Sequence, residues 1–331
     1  MYPKCTHASK DCQAWLVDKR SVLHERIRGV YLSKVSERDN IAGRHVLVTG
    51  AASGIGKATA VELARRGARL SLADIDETGV FEVASSLRAR GDAATAYTVD
   101  MADGDQVRAL ASQAVHDGGP VDVVVNNAGV AVVAPFVRTS APDWEWVLAV
   151  NVRGPIHLTR ALLPAMLARG SGHIVMVASL AGLVGAPGMV AYTTTKFALV
   201  GFAEALRLEV ADAGVDVTLV CPGFVRTNFA KASRYDNGDF RRFLAAPPSW
   251  YGLSQERVAT KLADALVSRD PLVVLGPEKL GWWLKRLAPD AAFSVTRWAA
   301  RFAGLGVGSS EQAGDDAAPT RARANATGEL S

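Results

Sequence analysis

The sequence predicts an α/β protein: a doubly wound parallel sheet with helices on both faces, in three layers and one domain. Short, β-branched apolar runs alternate along the chain with longer segments of helical periodicity. Strand runs that apolar are buried on both faces, as in parallel sheets. The first such run ends in a glycine-rich turn that opens a helix. The 263 residues from 42 to 304, between two polar ends, are a length that one α/β domain fills. Repeated βα units with right-handed crossovers wind such a sheet.

The elements follow in order. His45–Thr49 is a strand and Lys57–Arg66 a helix; Arg69–Ala73 leads to a helix over 77–90, and Ala94–Val99 to one over 103–116. Val121–Val125 precedes a loop and one long helix within 142–168. His173–Ala178 precedes a helix over 190–210, Val215–Val220 is the sixth strand, and a helix over 255–268 feeds Leu272–Leu275.

Composition excludes several classes. With 49% apolar residues the chain has ample surface to offset the entropy of ordering, so it is not disordered. The best spanning candidate, residues 174–195, has no charged side chain but contains Gly182, Gly185, Pro187 and Gly188, which punctuate strand, loop and helix and rule out one membrane-spanning helix. Of the net charge of +4, +3 lies in residues 1–41, so the body is near neutral and no nucleic-acid partner is expected. The N-terminus has no apolar core of a secretory signal, and Cys5, Cys12 and Cys221 form no disulfide framework. A cytoplasmic location is the expectation. Residues 1–41 read as a polar extension with a short helix near 14–31, and 305–331 as a disordered tail.

The chemistry-bearing residues gather at strand ends. Thr49-Gly50-Ala51-Ala52-Ser53-Gly54-Ile55-Gly56 joins the first strand to its helix. A pyrophosphate needs backbone N–H groups and a helix N-terminus brought close, which glycine permits. Asp74 ends the second strand, where a carboxylate accepts both ribose hydroxyls of NAD and repels the 2′-phosphate of NADP. Ser53 and Ile75 offer that phosphate no cation, although Lys57 and Arg69 are close in sequence. The competing reading is that Asp74 caps the following helix.

Tyr192 and Lys196 are four apart on a helix and so share a face. A phenol titrates near ~10 and exchanges protons at neutral pH only when a cation stabilises its phenolate. Lys196 supplies a cation, and Tyr192 then acts as acid or base on an alcohol or carbonyl oxygen. Ser179, at the end of the fifth strand, places a hydroxyl where it holds that oxygen against Tyr192. Asn126-Asn127-Ala128-Gly129 and Pro222-Gly223-Phe224-Val225-Arg226-Thr227 converge on the same sheet edge. Asn126 reads as structural. Asn151 interrupts a helix, either bonded within it or distorting it to hold a water for relay to Lys196.

In these motifs the chain resembles the classical short-chain dehydrogenases/reductases over residues 42–280. TGAASGIG (49–56), Asp74, Asp100, NNAG (126–129), Asn151, Ser179, YTTTK (192–196) and PGFVRT (222–227) stand in the family's order. The resemblance implies a Rossmann fold and an Asn151, Ser179, Tyr192, Lys196 tetrad. It places Lys196 also at the nicotinamide ribose, Asp100 by the adenine, Asn127 by the cofactor and Thr227 at the carboxamide. It implies an NAD cofactor held by Gly50, Ser53, Gly54, Ile55, Gly56 and Asp74, no metal, and a homodimer or homotetramer.

Aromatic residues Phe229, Tyr235, Phe240, Phe243 and Trp250 suggest one wall of an apolar substrate pocket, or packing of a lid; Leu183, Val184 and Met189 suggest the opposite wall. Arg226 and Arg234 read as surface charges. Residues 281–304 combine Trp282, Trp283 and Phe293 with Lys285, Arg286, Arg297 and Arg301. That pattern suits weak contact with a membrane surface through 281–303, or packing on the body or a sister subunit. The expected activity is reversible hydride transfer between NAD(H) and a small, mostly apolar alcohol or carbonyl. The alternatives are an NADP-dependent carbonyl reductase and a catalytically idle NAD-binding scaffold.

Overall fold

The computed structural model describes residues 41–227, 229, 233–235 and 252–302, for 299–302 the backbone alone. The helix near 14–31, the tail from 305, and Phe240, Phe243 and Trp250 lie outside the described residues.

The strands are β1 (His45–Thr49), β2 (Arg69–Asp74), β3 (Ala94–Thr98), β4 (Val123–Asn126), β5 (Val132–Val133), β6 (Gly172–Val177), β7 (Val215–Pro222), β8 (Arg234–Tyr235) and β9 (Leu272–Leu275). Seven form one parallel sheet in the order β3-β2-β1-β4-β6-β7-β9, and β5 pairs with β8 in a separate ribbon. The helices are α1 (Gly54–Arg65), α2 (Glu77–Ala89), α3 (Gly104–Gly118), α4 (Ala141–Leu148), α5 (Gly154–Ala168), α6 (Val190–Glu209), α7 (Gln255–Ser268), α8 (Lys279–Leu287) and α9 (Pro289–Phe302).

Alternation along the strands feeds two cores. In β1, Val46 and Val48 pack with α1, α2 and α7, while Leu47 faces the layer of α3, α5 and α6. All five residues of β1 are buried, as its apolar run requires. The chain leaves β1 toward β2 and β3 on one side and crosses to β4, β6, β7 and β9 on the other. This reversal opens a crevice outside the carboxyl ends of β1 and β4, where ligands bind in doubly wound sheets.

Two stretches depart from the sequence expectation. The single helix within 142–168 is broken by a π-helical segment, Ala149–Arg153, between α4 and α5. Asn151 lies inside that segment, fully buried. At the other end, α8 begins at Lys279, ahead of the expected boundary at 281, and forms a hairpin with α9. The hairpin leaves Leu280, Trp283, Leu287, Phe293 and Trp298 exposed, while Lys285 donates to the Leu183 carbonyl at 2.8 Å and stacks over Phe197. No described helix is long and apolar enough to cross a membrane.

Candidate active site

A cleft of 730 Å³ runs along the carboxyl edge of the sheet. Gly50, Ser53, Gly54, Ile55, Asp74, Asp100, Asn127, Ser179, Tyr192, Lys196 and Thr227 all line it.

The glycine turn closes one end. Gly50 and Gly54 have φ of +67° and +57°, a left-handed backbone that other residues adopt at a cost. Gly56 serves differently: a Cβ there would lie 2.0 Å from the Gly50 carbonyl oxygen and 2.5 Å from Asn127 Nδ2. It lets α1 pack against the turn and does not line the cleft. Asn127 fastens the same turn, its Nδ2 donating to the Thr49 and Gly50 carbonyls at 2.9 and 3.2 Å. Thr49 Oγ1 in return accepts from the Asn127 and Ala128 amides, both at 3.1 Å. This organising role of Thr49 was not legible in sequence, since a threonine ending a strand carries no signal of its own. Asn126 is buried, and its Nδ2 donates to Thr159 at 3.4 Å, a structural contact.

The N-terminus of α1 opens on the cleft at Ser53, Gly54 and Ile55. Helices α2, α3, α4 and α7 are capped by Asp76, Asp103, Ser140 and Ser254, while α5, α6 and α8 have no side-chain cap. Ser53, at the N-cap of α1, makes no such bond, and the first turn of α1 holds no acid. Its N–H groups and the positive end of the helix dipole therefore stay available for a phosphate. Thr227 packs directly over Gly54.

Asp74 is not a helix cap; Asp76 is. Asp74 Oδ2 accepts from the Ala52 amide at 2.9 Å and Oδ1 from the Asp76 amide at 3.0 Å, which fixes the carboxylate in the cleft wall. Arg69 starts β2 at the opposite sheet edge and donates to the Gly43 and Gly118 carbonyls. Lys57 is exposed on α1. Asp100 anchors the turn after β3 by accepting from the Ala102 amide at 2.8 Å.

At the other end, α6 presents Tyr192 and Lys196 together. Burial pushes the Tyr192 phenol up to about 12, with a hydrogen bond to Ser179 acting in the opposite direction. Ser179 Oγ also accepts from the Ala181 amide at 3.1 Å, which orients the hydroxyl. Lys196 Nζ donates to the Val177 carbonyl at 3.0 Å and lies 5.6 Å from the centre of the Tyr192 ring. Burial holds its ammonium down to about 8. The cation expected to lower the phenol is thus turned toward the tip of β6, and burial dominates the phenol.

Asn151 stands behind this pair. Its Oδ1 accepts from the Val130 amide at 2.9 Å, and its Nδ2 donates to the Val130 carbonyl at 2.8 Å and to Thr195 Oγ1 at 3.0 Å. It clamps the loop after β4 to α6 and does not line the cleft. Gly129 separates Asn151 from Lys196, its Cβ direction pointing between Oδ1 and Nζ.

The substrate side is apolar. Phe229 meets the Tyr192 ring edge-on at 5.6 Å, and Tyr235 and Met189 pack around it. Leu180, Ala181, Phe224, Val225 and Trp146 complete the wall. Leu183, expected there, packs on the core, and the 3₁₀ turn Leu180–Gly182 takes its place. Arg234 is no free surface charge: it stacks 4.0 Å over Trp146 and pairs with Asp143 at 2.6 Å at the rim.

The family model for short chain dehydrogenase matches residues 44–238. The chain belongs to the short-chain dehydrogenase/reductase family. It is 35% identical over 266 residues to "Probable oxidoreductase EphD" of Mycobacterium tuberculosis, aligning 76% of this chain with 44% of that protein, so it spans less than half the length of this relative. A short-chain dehydrogenase/reductase from Burkholderia phymatum, solved in complex with NAD, superposes with a TM-score of 0.71 at 33% identity, covering 76% of this chain and 96% of that one. A metagenomic short-chain oxidoreductase solved with NADP gives 0.60 at 30% identity, covering 70% and 96%. The uncapped α1 N-terminus, the glycine turn and the fixed Asp74 fit a nicotinamide dinucleotide of the kind with which both of these relatives were solved.

Proposed function

We propose that this protein interconverts an alcohol and its carbonyl on a small, mostly apolar substrate, with NAD(H) in preference to NADP(H) and Tyr192 as the acid/base. The observation that carries this is the convergence of Tyr192, Ser179 and Lys196 on one cleft whose far end holds Asp74 and the open N-terminus of α1. A nicotinamide coenzyme held there supplies or accepts the hydride. The turn at Gly50, Ser53, Gly54 and Ile55 would hold its pyrophosphate, Asp74 the adenosine ribose, Asp100 the adenine and Thr227 the carboxamide.

Ser179 orients the substrate oxygen. Tyr192 hands its phenolic proton to that oxygen as a carbonyl is reduced, and withdraws a proton from the hydroxyl as an alcohol is oxidised. A phenol buried this deeply is neutral at physiological pH, the form that donates; to serve as base in alcohol oxidation it first passes that proton on toward Lys196. The Lys196 ammonium, 5.6 Å from the centre of the Tyr192 ring, favours the phenolate left behind, and its remaining N–H groups would hold the nicotinamide ribose. The π-helical turn at Asn151 positions the strand-end loop and supports a water relay from Lys196 to solvent.

Replacing Tyr192 by Phe keeps the packing against Phe229 and removes the proton. In a screen of aldehydes, ketones and alcohols with both nucleotides, kcat is expected to fall by about two orders of magnitude with NADH affinity unchanged. Wild-type turnover in that variant removes Tyr192 from the mechanism. NADH binding without turnover of any compound by the wild type indicates the idle scaffold.

For the α8–α9 hairpin, an excess of basic over acidic residues beside exposed Trp283, Leu287 and Phe293 supports peripheral contact of 281–303 with an anionic lipid surface. Sedimentation with phosphatidylserine but not phosphatidylcholine vesicles tests it. Self-association in light scattering, abolished by Trp283→Ser, assigns the face to a sister subunit instead. A homodimer or homotetramer is expected from the family in either case.

A further inference from the structure

Glu278 lies between β9 and α8, at the cleft and outside every motif used above. Both of its carboxylate oxygens are shielded from solvent and have no hydrogen-bond partner among the described residues, yet the side chain lines the cleft. The carboxylate rests in a cradle of two glycines: a Cβ on Gly223 would fall 2.3 Å from Oε2, and one on Gly276 2.4 Å from it. Neighbouring polar groups are engaged elsewhere. The Gly223 amide donates to the Leu275 carbonyl at 2.7 Å, and the Gly276 carbonyl accepts from the Lys279 amide at 3.3 Å. Two lysines of this region are committed elsewhere, Lys285 to the Leu183 carbonyl and Phe197, and Lys196 to the Val177 carbonyl.

A shielded carboxylate without a donor is among the least favourable groups a fold can hold, and an apolar side chain of similar size would fill the space without that penalty. The cradle makes room for it where a single methyl group on either glycine would collide. Leu180, adjacent to Ser179, touches the same glycine wall from the substrate side.

We propose that Glu278 is the specificity residue of this cleft, its carboxylate turning out of the glycine cradle to accept a hydrogen bond from a donor group, a hydroxyl or an amine, that the otherwise apolar substrate carries away from its reacting carbon. This deepens the proposed alcohol/carbonyl activity and rests on it. The substrate is then amphipathic, and an anion at the same place is excluded by charge repulsion. A site built to bond a substrate donor discriminates strongly against the analogue lacking it, because its own acceptor is left unpaired.

The test uses the full chain with NAD and secondary 2-alkanols of six to twelve carbons. Each is compared with the same chain ending in a hydroxymethyl, an aminomethyl or a carboxylate group. In the wild type, at one or two chain lengths, the diol or amino alcohol is expected to exceed the plain alkanol at least tenfold in kcat/KM, with the carboxylate slowest. Glu278→Leu brings the ratio near one while leaving the plain alkanol at or above its wild-type rate. Glu278→Gln relieves the penalty on the carboxylate. A parallel fall for every chain end, or a wild type indifferent to the chain end, overturns the proposal. If the wild type turns over none of these compounds, the redox reading has failed for them. The proposal is then decided by Tm with NADH present: a shift given by the diol or amino alcohol, absent with the plain alkanol and lost in Glu278→Leu, supports it, and equal shifts overturn it.

Discussion

Replacing Asp74 by Ala and Ile75 by Arg should reverse the cofactor preference. Both Asp74 oxygens are held by backbone amides, from Ala52 at 2.9 Å and Asp76 at 3.0 Å, so the carboxylate cannot turn away from a 2′-phosphate. Two unit charges ~4 Å apart repel by about 4 kcal/mol at an effective dielectric near 20. Half of that already gives about 30-fold in favour of NAD. The structure removes one rival explanation, because Arg69 is bonded to Gly43 and Gly118 at the far end of β2. Ile75 is 66% exposed and lines the cleft, so an arginine there can reach the phosphate. The alanine also strips the Ala52 amide of its acceptor, at roughly 1–3 kcal/mol if that amide is left unsatisfied. Asp74→Asn, which keeps one acceptor and removes the charge, is the control. The assay is kcat/KM with NADH and NADPH for all three proteins. Equal values in the wild type, or a preference for NADPH, refute the electrostatic reasoning.

Three further outcomes are expected. Lys196 is held at about 8 by burial, so its ammonium is present below that pH and lost above it; kcat/KM for carbonyl reduction should fall above pH 8, and Lys196→Arg should move that limb upward. A limb that stays in place belongs to another group. Burial lowers the His173 imidazole to about 3 from 6.5, with nearby Arg44 and Arg269 acting the same way. The unfolded chain therefore takes the proton first, and the stability present above pH 6.5 is lost on acidification by up to about 1.4 kcal/mol per unit from this group. Urea midpoints at pH 7, 6 and 5 should show a shallower slope in His173→Gln, with an unchanged slope counting against the assignment; His45 is shifted in the same direction and supplies part of the remainder. Truncation to residues 41–304, which keeps the buried Ile41 in the core, should leave NADH binding and Tm intact, since the segments removed are polar and mixed in charge. Loss of folded protein would show that an end docks on the body.

How far the sequence could be read follows from which interactions are local. Strand β1 and the turn at Gly50–Gly56 were legible because a buried parallel strand must be apolar and a phosphate turn must spare its Cβ atoms. Tyr192 and Lys196 were legible because helical spacing alone puts them side by side. The interruption at Asn151 was readable as a flaw in a helix, but its clamp on Val130 is a contact across 21 residues that no local pattern encodes. Glu278 escaped because an isolated glutamate before a helix resembles any surface acid. Its burial depends on where Gly223 and Gly276 meet, 53 residues apart. The wall at Leu180 instead of Leu183 turned on a short 3₁₀ segment, which apolar spacing does not distinguish from loop.

The register of β1 also governs how the chain comes to fold. Val48 pairs with Val125 in β4, and Asn127 donates to the carbonyls of Thr49 and Gly50. Nothing locks the first strand on that side until more than seventy later residues have left the ribosome, and the contact of Thr227 on Gly54 waits for a hundred more. Such distant pairings slow folding and lengthen the interval in which apolar strand edges lie open to aggregation. The dinucleotide cradle is therefore among the last features to mature although it is written near the start of the domain. Nicotinamide nucleotide in the cell can rescue only chains that are nearly complete, so its stabilising effect should be visible on finished protein and absent from nascent fragments ending before residue 227.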